Sequence, residues 1–356
     1  MYGATIGKLG ILNIPATTNQ ACCACLPILV NNNYLFYFLM SHKESFTKKA
    51  EGGAQPNISK EKIISTLFPL PPLAEQKRIV AKIEQLIPYI EKYEKAETQL
   101  TALNKSFPDM LKKSILQEAV QGKLVPQNPD DEPASVLLER IRAEKQVLIK
   151  AGKIRKDKHE SAIITRDKIP YEIIDGKERC IADEVPFELP ESWCWCRLGT
   201  IFQHNTGKAL NSSNHQGTMM QYITTSNLYW DRFELDKLKE MLFTDSEVEK
   251  CTVTKGDLLV CEGGDIGRAA IWNYDYPMRI QNHIHRLRSY APVEVYFFYY
   301  VFYLYKRAGL IGGKGIGIQG LSSNAIDKLL IPLPPLAEQK KIVAKIEELM
   351  QYCDKL

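Results

Sequence analysis

The sequence contains no apolar run long enough to cross a bilayer. Its strongest candidate, VEVYFFYYVFYLY from Val293 to Tyr305, falls short of the roughly 20 residues that a spanning helix requires. Those tyrosines suit a core helix or strand, so no membrane is expected as a partner. Met1 leads into a Gly-rich, strand-like segment rather than a basic and then apolar leader, and the expected compartment is the cytoplasm. A large excess of one sign of charge is lacking too. The 46 Lys and Arg against 42 Asp and Glu leave a net +4, which taken alone points only weakly to nucleic acid.

Catalytic signatures are missing as well. The six histidines form no H-E-x-x-H, and the nine cysteines, an odd number in a long chain, suit a reducing compartment better than a disulfide framework. Neither Cys22, Cys23 and Cys25 nor the pair Cys194 and Cys196 is read as a metal site, and WCWC reads as packing. In WCWC, period-two alternation predicts Trp193 and Trp195 on one face and the two cysteines on the other. A Walker A loop needs Ser or Thr after its lysine, whereas GGKGIGIQG has Gly315 after Lys314 and Ala308 where the first glycine belongs. GGDIG and GTIF lack the strand, G-x-G-x-x-G and helix context of a dinucleotide or S-adenosylmethionine fold. A nuclease set forced from Pro129, Asp130, Asp175 and Lys177 fails because these residues read as turns.

What the sequence does contain is a long repeat. PLPPLAEQKRIVAKIE from Pro69 returns as PLPPLAEQKKIVAKIE from Pro332, at an offset of 263 residues (332 − 69) with only Arg78 and Lys341 differing. A period of that size signals duplication of a whole domain with its attached helix, not a solenoid. Weaker echoes lie upstream: GATIGKLGI at Gly3 with GGDIGRAAI at Gly263, Asn19-Gln20 with Gln281-Asn282, and GGAQPNIS at Gly52 with GIGIQGLS at Gly315. The length of 356 residues, with 45% apolar and 25% charged residues, supports two or more globular domains rather than a disordered chain.

Along the chain, GATIGKLGILNI reads as strand-like and KKAEGGAQPNIS as a Gly-rich loop. A long helix starts at Pro71-Pro72, with Glu75 near its positive end. Ile79, Ile83, Leu86, Ile90 and Tyr93 follow at steps of four and three, a coiled-coil seam that asks for a partner helix, and Pro88 is expected to bend it. PDMLKKSILQEAVQG reads as a second helix from Pro108 to a cap at Gly122. ASVLLERIRAEKQVLIKAGK is helical again, with Val136, Leu137, Ile141 and Leu148 on one face. Basic residues gather in this region (Arg140, Arg142, Lys145, Lys150, Lys153, Arg155, Lys156, Lys158), as a solvated face or as one turned to phosphates or a partner. Residues 154 to 184 read as a charged, irregular linker. A domain rich in short strands runs from LPESWCWCRLGTIF to the second phrase. Within it, His283 and His285 alternate beside Arg286 and Arg288 as an exposed basic strand.

PLPPLAEQ, the IVAKIE helix, ILQEAVQGKLVPQ, LPESWCWCRLGTI and KGDLLVCEGGDIGRAAI together resemble the specificity subunit of type I restriction-modification systems, over essentially the whole chain. The resemblance implies an α+β fold with two β-rich target-recognition domains, separated by long helices that pair as an antiparallel coiled coil. It divides the chain into the C-terminal part of a first recognition domain (1–68), a helical spacer (69–122), a helical and charged linker (123–184), a second recognition domain (185–331) and the start of a second spacer helix (332–356). The first recognition domain, at 68 residues before its phrase against about 147 in the second, is expected to lack its front half. The implied role is non-enzymatic: recognition of part of a bipartite, gapped sequence in double-stranded DNA, and docking of two methyltransferase subunits alongside restriction subunits. S-adenosylmethionine, ATP and Mg belong to those partners, with no cofactor or metal in this chain. The alternative is a truncated or recombining cassette that binds methyltransferase subunits without reading a complete target.

Base readout favours Arg or Lys for guanine and Asn or Gln for adenine, presented from loops. The candidates are Lys208, Asn211 and Ser212 in NTGKALNSSN, Thr224 and Ser226 in ITTSN, Arg268, Asn282, His283, and Lys314 and Gln319 in GGKGIGIQG. Ile79, Ile83, Leu86, Ile90 and Tyr93 on the first helix, and Ile342, Ile346 and Leu349 on the second, are the expected helix-pairing residues.

Overall fold

The computed structural model describes residues 5–51, 57–156, 160–210, 216–311 and 321–356. They divide into two units, residues 1–105 and 106–356. In the first unit, helices α1 (Asn32–Ser41), α2 (Lys43–Lys48) and α3 (Lys60–Ile64) surround a small core of Ile6, Phe46 and Ile58. Over residues 5–14, the described part of GATIGKLGILNI, the expected strand is not formed, because the described residues of this unit offer no strand to pair with it. Leu12 and Ile14 are 61% and 68% exposed.

Helix α4 (Leu73–Val120) runs unbroken through both Pro88 and Pro108. The expected second helix from Pro108 is thus a continuation of the first. It ends where Gly122, at φ 72°, lets Lys123 and Leu124 donate back to the Glu118 carbonyl.

Helix α5 (Ala134–Lys150) opens the rest of the second unit. The segment expected to be an irregular linker is instead an antiparallel meander of β1 (Ser161–Arg166), β2 (Ile169–Ile174) and β3 (Lys177–Cys180). Two tight turns build it. Asp167-Lys168 lie at φ 50° and 65°, Asp175-Gly176 at 52° and 76°, the left-handed pair that matches the twist of a two-residue hairpin. The charged residues belong to its faces and edges, and the second unit begins far upstream of residue 185.

Next come β4 (Cys194–Arg197), α6 (Leu198–Ile201), β5 (Phe202–Thr206), β6 (Thr218–Ile223), β7 (Leu228–Tyr229), β8 (Arg232–Phe233), β9 (Lys239–Phe243) and α7 (Asp245–Cys251). They are followed by β10 (Thr252–Val253), β11 (Leu258–Cys261), β12 (Ala269–Ile271), β13 (Met278–Ile280), β14 (Ile284–Ser289), α8 (Val295–Arg307), α9 (Ser323–Asp327), β15 (Leu330–Leu333) and α10 (Leu336–Cys353). Two four-stranded sheets form, ordered β12-β11-β14-β5 and β10-β13-β6-β9, while β15 pairs with β4. The architecture is α+β. VYFFYYVFYLY is a helix, α8, that buries Phe297, Phe298, Val301 and Phe302 in the largest core. Among the described residues, no helix is long and apolar enough to cross a membrane.

One further expectation is corrected here. Trp193 precedes β4, so strand alternation does not reach it. It packs in the main core with Cys196, while Trp195 joins a separate cluster with Ile181 and Leu330. Burial pushes the Cys194 thiol up to about 12, which leaves it a protonated packing group. Ile342 and Ile346 are fully buried in the main core and Leu349 packs against it, and the same core holds Ile115, Leu116, Ala119 and Val120 from the last turns of α4. On α4, Ile79 and Ile83 are half-buried, whereas Leu86, Ile90 and Tyr93 are 44%, 62% and 73% exposed.

Candidate nucleic-acid interface

Strand register decides where the loops fall. β14 pairs antiparallel with both β5 and β11, matching His285 with Thr206 and Ile284 with Cys261. The ends of β5 and β11 and the start of β14 therefore share one edge, and Ala269 at the start of β12, opposite Val260, joins them. In the second sheet, β6 and β13 are parallel and finish together at Ile223 and Ile280. The Lys208–Gln281 bridge stitches the two edges, with the Lys208 amide donating to Ile280 and the Asn282 amide to the Lys208 carbonyl at 3.0 Å each. Gly207 permits this crossing, because a Cβ there would lie 2.0 Å from the Ile280 oxygen. Residues 207–210 and the loops 224–227, 262–268 and 281–283 thus gather at one end of the domain.

Not every sequence-selected residue faces outward there. Lys208 is only 8% exposed, and its Nζ donates to the Leu242 carbonyl and the Glu247 carboxylate, both at 2.6 Å. It anchors α7 to the sheet and has no spare reach for a base. Thr224 is buried, its amide and hydroxyl both donating to Asn227 Oδ1 at 2.9 and 2.8 Å. Arg268 donates from Nη2 to the Thr225 carbonyl at 2.6 Å and lies over the Tyr229 ring at 5.0 Å. These three shape the loops that others present. The expected exposed basic strand is corrected too: His285 and Arg286 are 0% and 2% exposed, because β14 is central in its sheet.

Ser226, Gly264, Asp265 and His283 are exposed, and Asn282 is half-buried beside them. The Ser226 hydroxyl lies 2.7 Å from that of Thr224, and His283 Nδ1 lies 3.7 Å from Glu262. A Cβ on Gly264 would lie 3.9 Å from Thr225 Oγ1, which puts the 224–227 and 262–268 loops side by side. The resulting surface offers hydroxyls, an amide, an imidazole and glycine backbone, groups able to bond base edges and phosphates. Asn211, Ser212, Lys314 and Gln319 lie outside the described residues. Sequence reasoning missed Thr225 and Gly264-Asp265, although the paired glycines of EGGDIG between two strand-like runs marked a turn of this kind.

A buried relay backs the same edge. His285 Nε2 lies 2.6 Å from the Leu321 carbonyl, which can only accept, so Nε2 carries the hydrogen. Burial holds this imidazole neutral, down to about 4. Its Nδ1 accepts from His204 Nε2 at 2.8 Å, and His204 Nδ1 lies 3.1 Å from Asp327. α9 and the chain entering it are thereby tied to β5 and β14.

The repeated phrase also gains a role. Buried Gln339 accepts from the Glu294 amide and donates to the Pro334 carbonyl, both at 2.9 Å. Gln76, 263 residues earlier, accepts from the Asn31 amide at 2.9 Å and donates to the Pro71 carbonyl at 2.8 Å. Asn31 and Glu294 are the N-caps of the aromatic helices α1 and α8. In both copies the glutamine latches the start of the long helix to the start of the aromatic helix before it.

The family described as type I restriction modification DNA specificity domain matches residues 1–101 and 190–356. The type I restriction enzyme EcoAI specificity subunit of Escherichia coli is 28% identical over 383 residues, covering 92% of this chain and 61% of that protein. The EcoBI specificity subunit of Escherichia coli is 22% identical, covering 96% of the chain and 64% of that protein. The chain therefore spans about three fifths of the length of these relatives. A crystal structure of the HsdS subunit from Thermoanaerobacter tengcongensis aligns with a TM-score of 0.43 at 18% identity, covering 92% of this chain and 64% of that one. With most of its length inside that family match, the chain belongs to the type I restriction modification DNA specificity domain family.

Proposed function

We propose that this chain supplies DNA sequence specificity to a type I restriction-modification complex. The second unit reads part of a bipartite, gapped target in double-stranded DNA, and the long helices dock methyltransferase subunits. Methylation and cleavage, with S-adenosylmethionine, ATP and Mg, belong to methyltransferase and restriction subunits. The observation that carries this reading is the convergence of loops 224–227, 262–268 and 281–283 at one edge of two stitched sheets. Rigid strands presenting polar loops hold the geometry that direct readout requires. Asn282, His283 and Ser226 face the DNA, while Lys208, Thr224 and Arg268 set the loops that carry them.

Co-expression with a cognate methyltransferase subunit and genome-wide mapping of methylated adenine tests the proposal. A gapped motif is expected, with half of it altered or lost in an Asn282→Ala/His283→Ala variant. A stable complex that methylates nothing would assign the chain to the interaction-only role.

A further inference from the structure

The basic cluster at the end of α5 finds no use in base readout, and the family match omits residues 102–189, which hold α5 and the meander. The meander is nevertheless firmly built into the second unit. The buried Glu172 carboxylate accepts from Arg197 Nε and Nη2 at 2.8 Å each, from Arg179 at 2.7 Å and from the Ser161 hydroxyl at 2.6 Å. Between the meander and the β5–α9 side of the recognition domain lies an open groove of about 1760 Å³.

Its lining carries seven Lys and Arg against five carboxylates, those of Glu172, Asp175, Asp183, Glu184 and Asp327. Arg179 and Arg197 are neutralised by Glu172 and Glu184. Lys153, Arg155 and Lys177 line one wall and Lys250 and Lys328 the other. These five are exposed, and none forms an ion pair among the described residues. Lys250 also lines a smaller cleft with Thr206, Lys208 and Asn282. The groove therefore adjoins the cleft at the recognition edge, with Lys250 on the border between them.

We infer that this groove is a phosphate track: Lys153, Arg155, Lys177, Lys250 and Lys328 hold the sugar-phosphate backbone of DNA flanking the half-site. The inference rests on the chain being a DNA-recognition subunit and adds a sequence-independent contact outside the readout loops. Such contacts set register and affinity without discriminating between bases.

The test uses the full chain with a fluorescent random-sequence DNA duplex, measuring affinity by anisotropy across a salt series. Each phosphate contact contributes about 0.9 to the slope of log K against log salt. Lys153→Gln/Arg155→Gln/Lys177→Gln is expected to reduce the slope by up to about 3, and Lys250→Gln/Lys328→Gln by up to about 2. The preference for the target half-site over the random duplex should stay unchanged in both. All five side chains are solvent-facing, and unchanged circular dichroism confirms the fold. Wild-type binding with the same slope in both variants overturns the phosphate track alone. If the variants lose binding to polyglutamate while the DNA slope stays fixed, the groove takes an acidic protein segment instead. A wild-type chain that binds no duplex overturns the track together with the reading it rests on.

Discussion

Gln76 and Gln339 show how one residue type can be fixed by two backbone groups. Each offers an acceptor to the N-cap amide of an aromatic helix and a donor to a carbonyl just before its own long helix. Gln339→Leu keeps the volume but strands the Glu294 amide and the Pro334 carbonyl in the interior. A loss of about 2 kcal/mol in unfolding free energy is expected, measured by urea denaturation. A change within error would show that relaxation or water replaces the latch. His285 makes a pH prediction. Its folded value of about 4 lies below the ordinary 6.5, so between those values the unfolded chain binds a proton that the native one refuses. Stability is therefore full above about pH 6.5 and declines as pH falls towards 4, by at most about 3 kcal/mol. His204 and Asp327 are the titratable groups facing it. Thermal melts of wild type and His285→Asn should diverge in pH dependence within that window. Parallel curves would refute the assignment.

At the scale of elements, the meander depends on the Glu172 cluster. The Arg197 guanidinium, with Ser161 and Arg179, holds this carboxyl down at about 2. Its contribution is present above about pH 4.5 and is lost as pH falls towards 2, a window more acidic than that of His285. Glu172→Ala leaves half-buried Arg197 with Glu184 as its one carboxylate partner beside the Lys328 carbonyl and is expected to cost about 3 kcal/mol. Hydrogen exchange should then rise first in β1–β3; protection unchanged there would mean that the apolar packing of Ile163 and Ile181 suffices. The meander was partly legible. Asp175-Gly176 is a hairpin signal and was read as a turn, but the density of charge around it masked the flanking strands. Most of those charges occupy edge and solvent positions, where they do not oppose pairing, and Glu172, buried on central β2, is paired with Arg197 and Arg179. The unbroken α4 was the opposite case. Pro88 predicts a bend and Pro108 a new helix start, yet one helix runs through both positions.

For the whole molecule, the duplicated phrase carries most of what the sequence shows about organisation. It locates two long helices and, through the common offset, the aromatic helix that each glutamine latches. The methylation experiment and the salt series act at this scale. One reads the product of the assembled complex, the other the electrostatics of a surface shared by two parts of the chain. The candidate readers divided once their environment was known. Ser226, Asn282 and His283 face solvent, whereas Lys208 and Arg268, chemically the better guanine readers, are committed to Glu247 and to the Thr225 carbonyl.

The sequence by itself determined the family, the repeat, the α+β class and the absence of familiar catalytic motifs, since these lie in residue identity and spacing along the chain. The tertiary structure alone decided which polar side chains are spent inside the fold, that three loops meet at one edge, and that a charged segment folds into a sheet beside a groove lined by exposed cations. The reason is physical: a lysine's availability depends on the carboxylate within 3 Å of it, and for Lys208 that carboxylate lies 39 residues away in the chain.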